Sequence, residues 1–302
     1  MHSSKDITMN ELSITAIVVL YYSKHLLNPL LANITEKIIG LDEIILVDNS
    51  NEDLSDFENP LVKVIHPPKN IGYGAAINLG VSMAKNENIV AMNPDLKIES
   101  FDFCFATPPA TEYILSGIPN GASEFTCFPT PFFDLYRLGF FNLAKLFKPL
   151  RKIFRKTPCQ HGEDYTPVDW IPGLLIITNK KTLSQIDGFD EKYFLFYEEV
   201  DLCKRAHDKG IYVGVSNTIQ IKNFCGTSSI NDVSDIKIRS EIDSFKRYHS
   251  KYSPYATTFL AKTILKIWSL LIKVTCAVVM QVSKREKVRN KMKQYALYAS
   301  NL

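Results

Sequence analysis

Residues Ile14 to Tyr21 read ITAIVVLY, a β-branched run without a polar face. A strand of that kind is buried on both sides, which in water means the inside of a parallel sheet covered by helices. The chain that follows keeps to that plan. A helical stretch from about Leu26 to Ile39 stops at Gly40, a residue that readily takes the left-handed conformation ending a helix. Glu43 to Asn51 (EIILVDNSN) is an apolar strand with an abruptly polar end, and Val62 to His66 is a shorter strand closed by Pro67 and Pro68. Asn70 to Lys85 (NIGYGAAINLGVSMAK) predicts a glycine-bearing turn running into a helix, and Asn88 to Leu96 (NIVAMNPDL) a further strand. Strand, helix and strand at this spacing build βαβ units of a doubly wound, mostly parallel α/β sheet. Ligands of such sheets sit at the carboxyl ends of the strands, where Asp48 and the Asn93-Pro94-Asp95 turn fall. Each also has a plainer reading, Asp48 to Asn51 as turn and helix cap and Asn93 to Asp95 as a turn alone. Gly72, Gly74 and Gly80 do not follow the GxGxxG dinucleotide spacing.

A second constraint lies further on. Tyr197 to Arg205 (YEEVDLCKR) packs Glu198, Glu199 and Asp201 beside the fixed cation Arg205, and Gly188 to Phe196 (GFDEKYFLF) adds Asp190 and Glu191 within an aromatic run. Acids held against Phe194, Phe196, Tyr197 and Leu202 gain proton affinity, as a general base near neutral pH requires. Acids opening a helix also complement its dipole, so the cluster alone leaves both readings open.

The motifs VDNSN (Val47 to Asn51), NIGYGAAINLG (Asn70 to Gly80), NPD (Asn93 to Asp95), VDWIPG (Val168 to Gly173) and GFDEKYFLFYEEVDLCKR (Gly188 to Arg205) occur in this order. The series resembles the family 2 inverting glycosyltransferases, especially the rhamnosyltransferase-like branch that builds bacterial surface polysaccharides such as O-antigen. The resemblance implies a GT-A-like fold with a Rossmann-like nucleotide-binding half. By its residues, Asp48 would hydrogen-bond the pyrimidine base of a nucleotide-sugar, Asn70 and Gly72 would lie along the nucleotide, and Asn78 would brace the loop. NPD stands where the family has DxD, so Asp95, with Asn93 as a poorer ligand, would hold Mg2+ or Mn2+ on the diphosphate. Trp170 and Gly173 would form part of the sugar and acceptor pocket, and Asp190 joins the substrate-binding set. Glu199 aligns with the family's catalytic aspartate, one methylene longer. Glu198 belongs to the same acid group, and Asp201 would be its partner or an alternative base. Arg205 would balance the acids or the diphosphate. Asn223 stands where the family often has a histidine near the metal, in NFCGTS (Asn223 to Ser228). His66, just past a strand, is a further candidate near the nucleotide.

Composition supports a folded α/β protein of 302 residues, 46% apolar and 22% charged, with a net charge of +3. Charge placement says more than the total. Leu135 to Gly162 contains no acid but seven lysines and arginines, within the aromatic-rich stretch Phe132 to Lys156. Beyond Pro254, at ~100° per residue, Lys262, Lys266, Lys273, Lys284, Lys287 and Lys291 fall within roughly 60° of a helical wheel whose other faces are apolar. The longest uncharged run there, Val274 to Ser283, is too short to span a bilayer. Helices lying on an anionic membrane surface are therefore expected, with packing on the main domain or another subunit as the alternative. Cations interleaved with large aliphatics do not suit nucleic acid. Six scattered cysteines without a CxxC pair fit a reducing compartment, and the polar N-terminus lacks the apolar core of a signal peptide.

The resulting expectation is a glycosyltransferase domain over residues 1–250, with a nucleotide-sugar-binding half over 1–100 and an acceptor and catalytic half over 165–250. A basic amphipathic tail over 251–302 would place it on the cytoplasmic face of the membrane. Donor (dTDP-rhamnose or a UDP-sugar) and lipid-linked saccharide acceptor would be its partners. A non-catalytic scaffold of a polysaccharide assembly complex is the competing reading. A nucleotidyltransferase ranks below both, because Tyr21-Tyr22-Ser23-Lys24 replaces the glycine-rich basic loop it would need after the first strand.

Overall fold

The computed structural model describes residues 13–103, 109–120, 122, 124–131, 134, 156–158, 164–223 and 235–282. Among these, contacts separate two units. The first lies within 1–127, 156–194 and 198–230, and the second within 128–155, 195–197 and 231–302.

In the first unit β1 (Ile14–Leu20) is buried at every position, as its sequence requires. Each aliphatic side chain so buried contributes roughly 1.5–3 kcal/mol. β1 pairs in parallel with β2 (Leu41–Asp48) on one side and β4 (Asn88–Met92) on the other. β2 in turn pairs in parallel with β3 (Val62–Ile65). α1 (Leu27–Lys37) makes the crossover from β1 to β2 and buries Leu27, Leu30 and Ile34 along one stripe. α2 (Tyr73–Met83) makes the crossover from β3 back past β1 to β4. Strand order therefore reverses about β1, which opens a crevice at the carboxyl ends of β2, β1 and β4.

The sheet then continues with chain from much further along. Its order is β3-β2-β1-β4-β10-β6-β11-β5, with β9 paired to β11. Here β5 is Leu96–Phe101, β6 Tyr113–Pro119, β9 Tyr165–Pro167, β10 Leu175–Asn179 and β11 Tyr212–Asn223. β1, β2, β3, β4, β6 and β11 point one way; β5, β9 and β10 run against them. The expected mostly parallel α/β sheet is thus present, and the single strand expected over Asn88 to Leu96 divides at the NPD turn into β4 and the distant edge strand β5. A small separate ladder joins β7 (Glu124–Thr126) to β8 (Lys156–Pro158). α3 (Lys180–Gln185) follows β10, and α4 (Glu198–Asp208) carries the acid cluster.

The second unit contains α5 (Asp235–Tyr252) and α6 (Tyr255–Val282), separated by Ser253-Pro254. α5 falls in the stretch expected to belong to the catalytic half, and it groups with α6. The basic aromatic segment between 132 and 155, apart from Asp134, and the lysines beyond 282 lie outside the described residues.

α2 lies so close to β1 that a Cβ on Gly80 would come within 2.6 Å of Ile17 Cγ2, itself fully buried. Gly80→Ala is expected to cost about 1–3 kcal/mol by overpacking, read as a lower denaturation midpoint at unchanged slope.

Candidate active site

The candidate site residues from Asp48 to Arg205 belong to the first unit, whereas Leu195–Tyr197 of the last motif groups with the second. Asp48, at the end of β2 and opposite Leu20, is fully buried. Its Oδ1 accepts from the Ser50 N–H (2.9 Å) and the Ser50 hydroxyl (2.5 Å), and its Oδ2 accepts from the Glu52 N–H (2.6 Å). His66 Nδ1 lies 3.4 Å from the same Oδ2. Asp48 therefore organises the loop over 48–52. The Tyr22 N–H donates to Ser50 Oγ (2.9 Å), and the rings of Tyr21 and Tyr22 meet edge to face at 4.7 Å, both solvent-exposed. This aromatic pair beside the β2 loop was missed from sequence. In the sequence, Tyr21 and Tyr22 signal only the absence of a phosphate-binding loop.

Asn49 was also missed. Its Oδ1 accepts from the Ile71 N–H and its Nδ2 donates to the Gly72 carbonyl, both at 3.2 Å, so the end of β2 is laced to the turn before α2. Asn70 Oδ1 accepts from the Gly72 N–H (3.0 Å) and closes that turn. Gly72 has φ +87°, where a side chain would be strained, and a Cβ there would lie 2.4 Å from the Phe194 carbonyl oxygen. The same oxygen accepts from the Tyr73 N–H at 3.1 Å. Further along α2, Asn78 Oδ1 accepts from the Phe189 N–H (2.9 Å), while its Nδ2 donates to the Phe189 carbonyl (2.9 Å) and to Glu191 Oε1 (3.0 Å). The loop that Asn78 braces is thus the one leading to the acids. Asp190 Oδ1 accepts from the Lys192 N–H (3.1 Å) within that loop.

Tyr73 is the centre of the acid cluster. Its hydroxyl donates to the Gly173 carbonyl at 2.5 Å. A Cβ on Gly173 would lie 3.4 Å from Tyr73 Cε1 and 3.9 Å from Glu199 Cβ and Cδ. Burial pushes the Tyr73 phenol well above its ordinary range, and the nearby carboxylates of Glu198, Glu199 and Asp95 push it further. The sequence signal was an aromatic placed between the two glycines of NIGYG. Asp95 is nearly buried, at 7% exposure, and the Asn93 N–H donates to the Leu174 carbonyl (3.1 Å), so the NPD turn lies beside Gly173. Asn223 pairs with Leu96 at the end of β11, next in sequence to Asp95; residues 224–228 of NFCGTS lie outside the described residues. Trp170 Nε1 donates to the Cys127 carbonyl at 3.2 Å.

The acids divide by partner. Asp201 is fully buried and bound by Arg205, Nε to Oδ2 at 2.7 Å, and Arg205 Nη1 also donates to the Ile186 carbonyl. That pairing fastens α4 to the turn after α3. Glu198 is 5% exposed, and burial, then the charge of Glu199, drives its carboxyl well above the usual carboxylate range. Half-buried Glu199 is the acid that faces Gly173. Among the described residues no three His, Cys, Asp or Glu side chains gather as a metal cage. Asp95 and Asn93 nevertheless offer hard oxygens of the sort that hold Mg2+ together with substrate phosphates.

These positions can be compared with known proteins. Residues 15–100 match the family model described as glycosyl transferase family 2. The low-salt glycan biosynthesis hexosyltransferase Agl10 of Haloferax volcanii is 26% identical over 200 residues, 60% of this chain and 59% of that protein. The N-acetylglucosaminyl-diphospho-decaprenol L-rhamnosyltransferase of Mycobacterium tuberculosis is 24% identical over 207 residues, 59% of this chain and 66% of that protein. The chain thus spans less than two thirds of the length of each relative. The fold is similar to that of GalNAc-T7 with UDP, GalNAc and Mn2+ (TM-score 0.53, 13% identity, 71% of this chain and 44% of that one). It is also similar to that of the mannosyltransferase PcManGT from Pyrobaculum calidifontis in complex with GDP-Man and Mn2+ (TM-score 0.51, 13% identity, 95% and 85%). The architecture is that of the GT-A glycosyltransferases.

The raised pKa of Glu198 has a consequence for stability. Its folded pKa is raised above the ordinary 4.5, so the stability it contributes is complete below that pH and is lost as pH rises through the folded value. Glu198→Gln is expected to raise Tm by roughly 2–4 °C at pH 8, with the gap closing towards pH 5. A gap independent of pH would place the proton elsewhere.

Proposed function

We propose that this chain is an inverting glycosyltransferase that moves a sugar, rhamnose foremost, from a nucleotide diphosphate donor to a lipid-linked saccharide acceptor in surface polysaccharide synthesis. The observation that carries the reading is the meeting of Tyr73, Gly173, Glu199 and Asp95 at the carboxyl-end crevice of a GT-A sheet, within a chain whose residues 15–100 match the family 2 model. The rhamnosyl and lipid-linked parts draw on the mycobacterial relative's name, and O-antigen is one such polysaccharide.

The nucleotide would enter over the 48–52 loop, with Tyr21 and Tyr22 offering flat faces to a base and Asp48 holding the loop that reads it. Asn70 and Gly72 would lie along the diphosphate. Asp95 and Asn93 would hold Mg2+ or Mn2+, which when bound neutralises charge on the leaving diphosphate. Glu199 takes the proton of the acceptor hydroxyl as that oxygen attacks the anomeric carbon from the face opposite the diphosphate. One C–O bond forms while the bond to the diphosphate breaks, so configuration inverts without a covalent intermediate. Trp170 and Asp190 would border the sugar and acceptor.

Calorimetric titration with dTDP-rhamnose and UDP-sugars, with and without Mn2+, tests this. Asp95→Ala is expected to weaken metal-dependent donor binding, whereas Glu199→Gln should keep binding and lower turnover about 100- to 10,000-fold. Binding without turnover in the native chain would favour the scaffold reading; no nucleotide-sugar binding would sink the assignment.

The acceptor's lipid would bring the enzyme to a membrane surface on the cytoplasmic side. Among the described residues no helix is long and apolar enough to cross a membrane. α6 instead exposes Phe259, Leu260, Ile267, Leu270 and Leu271, with Lys266 and Lys273 exposed along one border. That pattern suits an interfacial helix on anionic lipid. At about 1 kcal/mol per lysine, replacing both by Glu is expected to weaken sedimentation with phosphatidylglycerol vesicles tenfold or more, and not with phosphatidylcholine vesicles.

A further inference from the structure

Three residues of the first unit meet although they come from distant parts of the chain. They are Tyr73, which opens α2, Gly173 in the loop before β10, and Glu199 in the first turn of α4. Tyr73 is seated through its own backbone. Its N–H donates to the Phe194 carbonyl at 3.1 Å, and a Cβ on the next residue, Gly74, would lie 3.0 Å from Phe189 Cβ. One turn further along α2, Asn78 bonds both the N–H and the carbonyl of Phe189. The phenol therefore projects from a fixed base. With burial and the neighbouring carboxylates raising its pKa well above the ordinary value, its hydroxyl is a donor at neutral pH.

The loop that the hydroxyl meets is tied at both margins. The Val168 N–H donates to the Val213 carbonyl, and the Leu174 carbonyl accepts from the Asn93 N–H, each at 3.1 Å. Between those ties the Gly173 carbonyl accepts from the Tyr73 hydroxyl at 2.5 Å. Gly173 in turn borders the acid: a Cβ there would stand 3.4 Å from Tyr73 Cε1 and 3.9 Å from Glu199 Cβ and Cδ. We propose that Tyr73 is a positioning residue for glycosyl transfer: its hydroxyl holds the 168–174 loop in the place against which Glu199 is aligned to the acceptor hydroxyl. Tyr73 directly follows Gly72, assigned above to the diphosphate, so a single side chain links the donor's turn to the side of the base. This rests on the reading of Glu199 as the base.

Tyr73→Phe keeps the ring and removes the one bond, so the full chain is expected to fold with Tm within about 4 °C of the native value. In hydrogen exchange the peptide spanning 168–175 should exchange about tenfold faster or more, with peptides within 14–48 unchanged. Turnover of dTDP-rhamnose is followed as dTDP release, with a polyprenyl-diphosphate-linked N-acetylglucosamine as acceptor. Misplacing a reacting group by about 1 Å can cost roughly 100-fold, so kcat should fall about tenfold or more. KM for dTDP-rhamnose should stay within about twofold. Residues that act as a unit are not additive, so in a Glu199→Gln background the same change should cost less than about twofold further. The full loss recurring there, or exchange at 168–175 unchanged by Tyr73→Phe, would overturn the positioning role and leave the base assignment standing. Native turnover in Glu199→Gln alone would sink the base assignment, and the role of Tyr73 with it.

Discussion

The close approach of Gly72 to the Phe194 carbonyl joins what would otherwise be two separate halves of a site. Through that contact the turn opening α2 is seated directly on the loop leading to the acid helix. A side chain at position 72 would have to displace backbone, which cannot yield as a flexible rotamer can. Asn49 on one side and Asn78 on the other extend the same junction, their side chains bonding to the backbone or carboxylate of a distant segment. Amide side chains suit this use because each offers both a donor and an acceptor in one plane. The junction is thus held by main-chain geometry.

Four acids of the motifs meet different surroundings. Asp201 is paired with Arg205, Glu198 is buried with its pKa raised, and Asp48 accepts from the amides of its own loop. Glu199 stands half-buried, with its Cβ and Cδ 3.9 Å from where a Cβ on Gly173 would lie.

Much of this was legible before any coordinates. The apolar runs of β1 and β2 announce a parallel sheet, and the order of the motifs announces which strand ends matter. The helix expected to run to Ile39 and stop at Gly40 ends earlier, at Lys37, with an extended cap at Ile38, and Gly40 takes φ +84° in the turn beyond it. What the sequence concealed were contacts made at long range by ordinary residues. Tyr73 reads as one more helix-start aromatic until its hydroxyl is seen on Gly173, a hundred residues away. Asn49 reads as a turn former. Neither composition nor periodicity reports a side chain's partner when that partner lies on another element. The division of Asn88 to Leu96 into two strands was hidden for a similar reason: the far-edge place of β5 is set by β11, more than a hundred residues later.

The position of β10 has a consequence for how the chain comes to be folded. β4 pairs on one side with β1, close in sequence, but on the other with β10, at Leu175–Asn179. The first four strands can assemble as soon as they leave the ribosome, yet β4 then presents an open edge of the type that recruits foreign strands. At roughly 5–20 residues per second, β10 arrives several seconds later to cover it. During that interval the nascent chain carries a four-stranded parallel sheet with an adhesive border. Its exposure to aggregation therefore falls between the emergence of β4 and that of β10, before the acid helix exists.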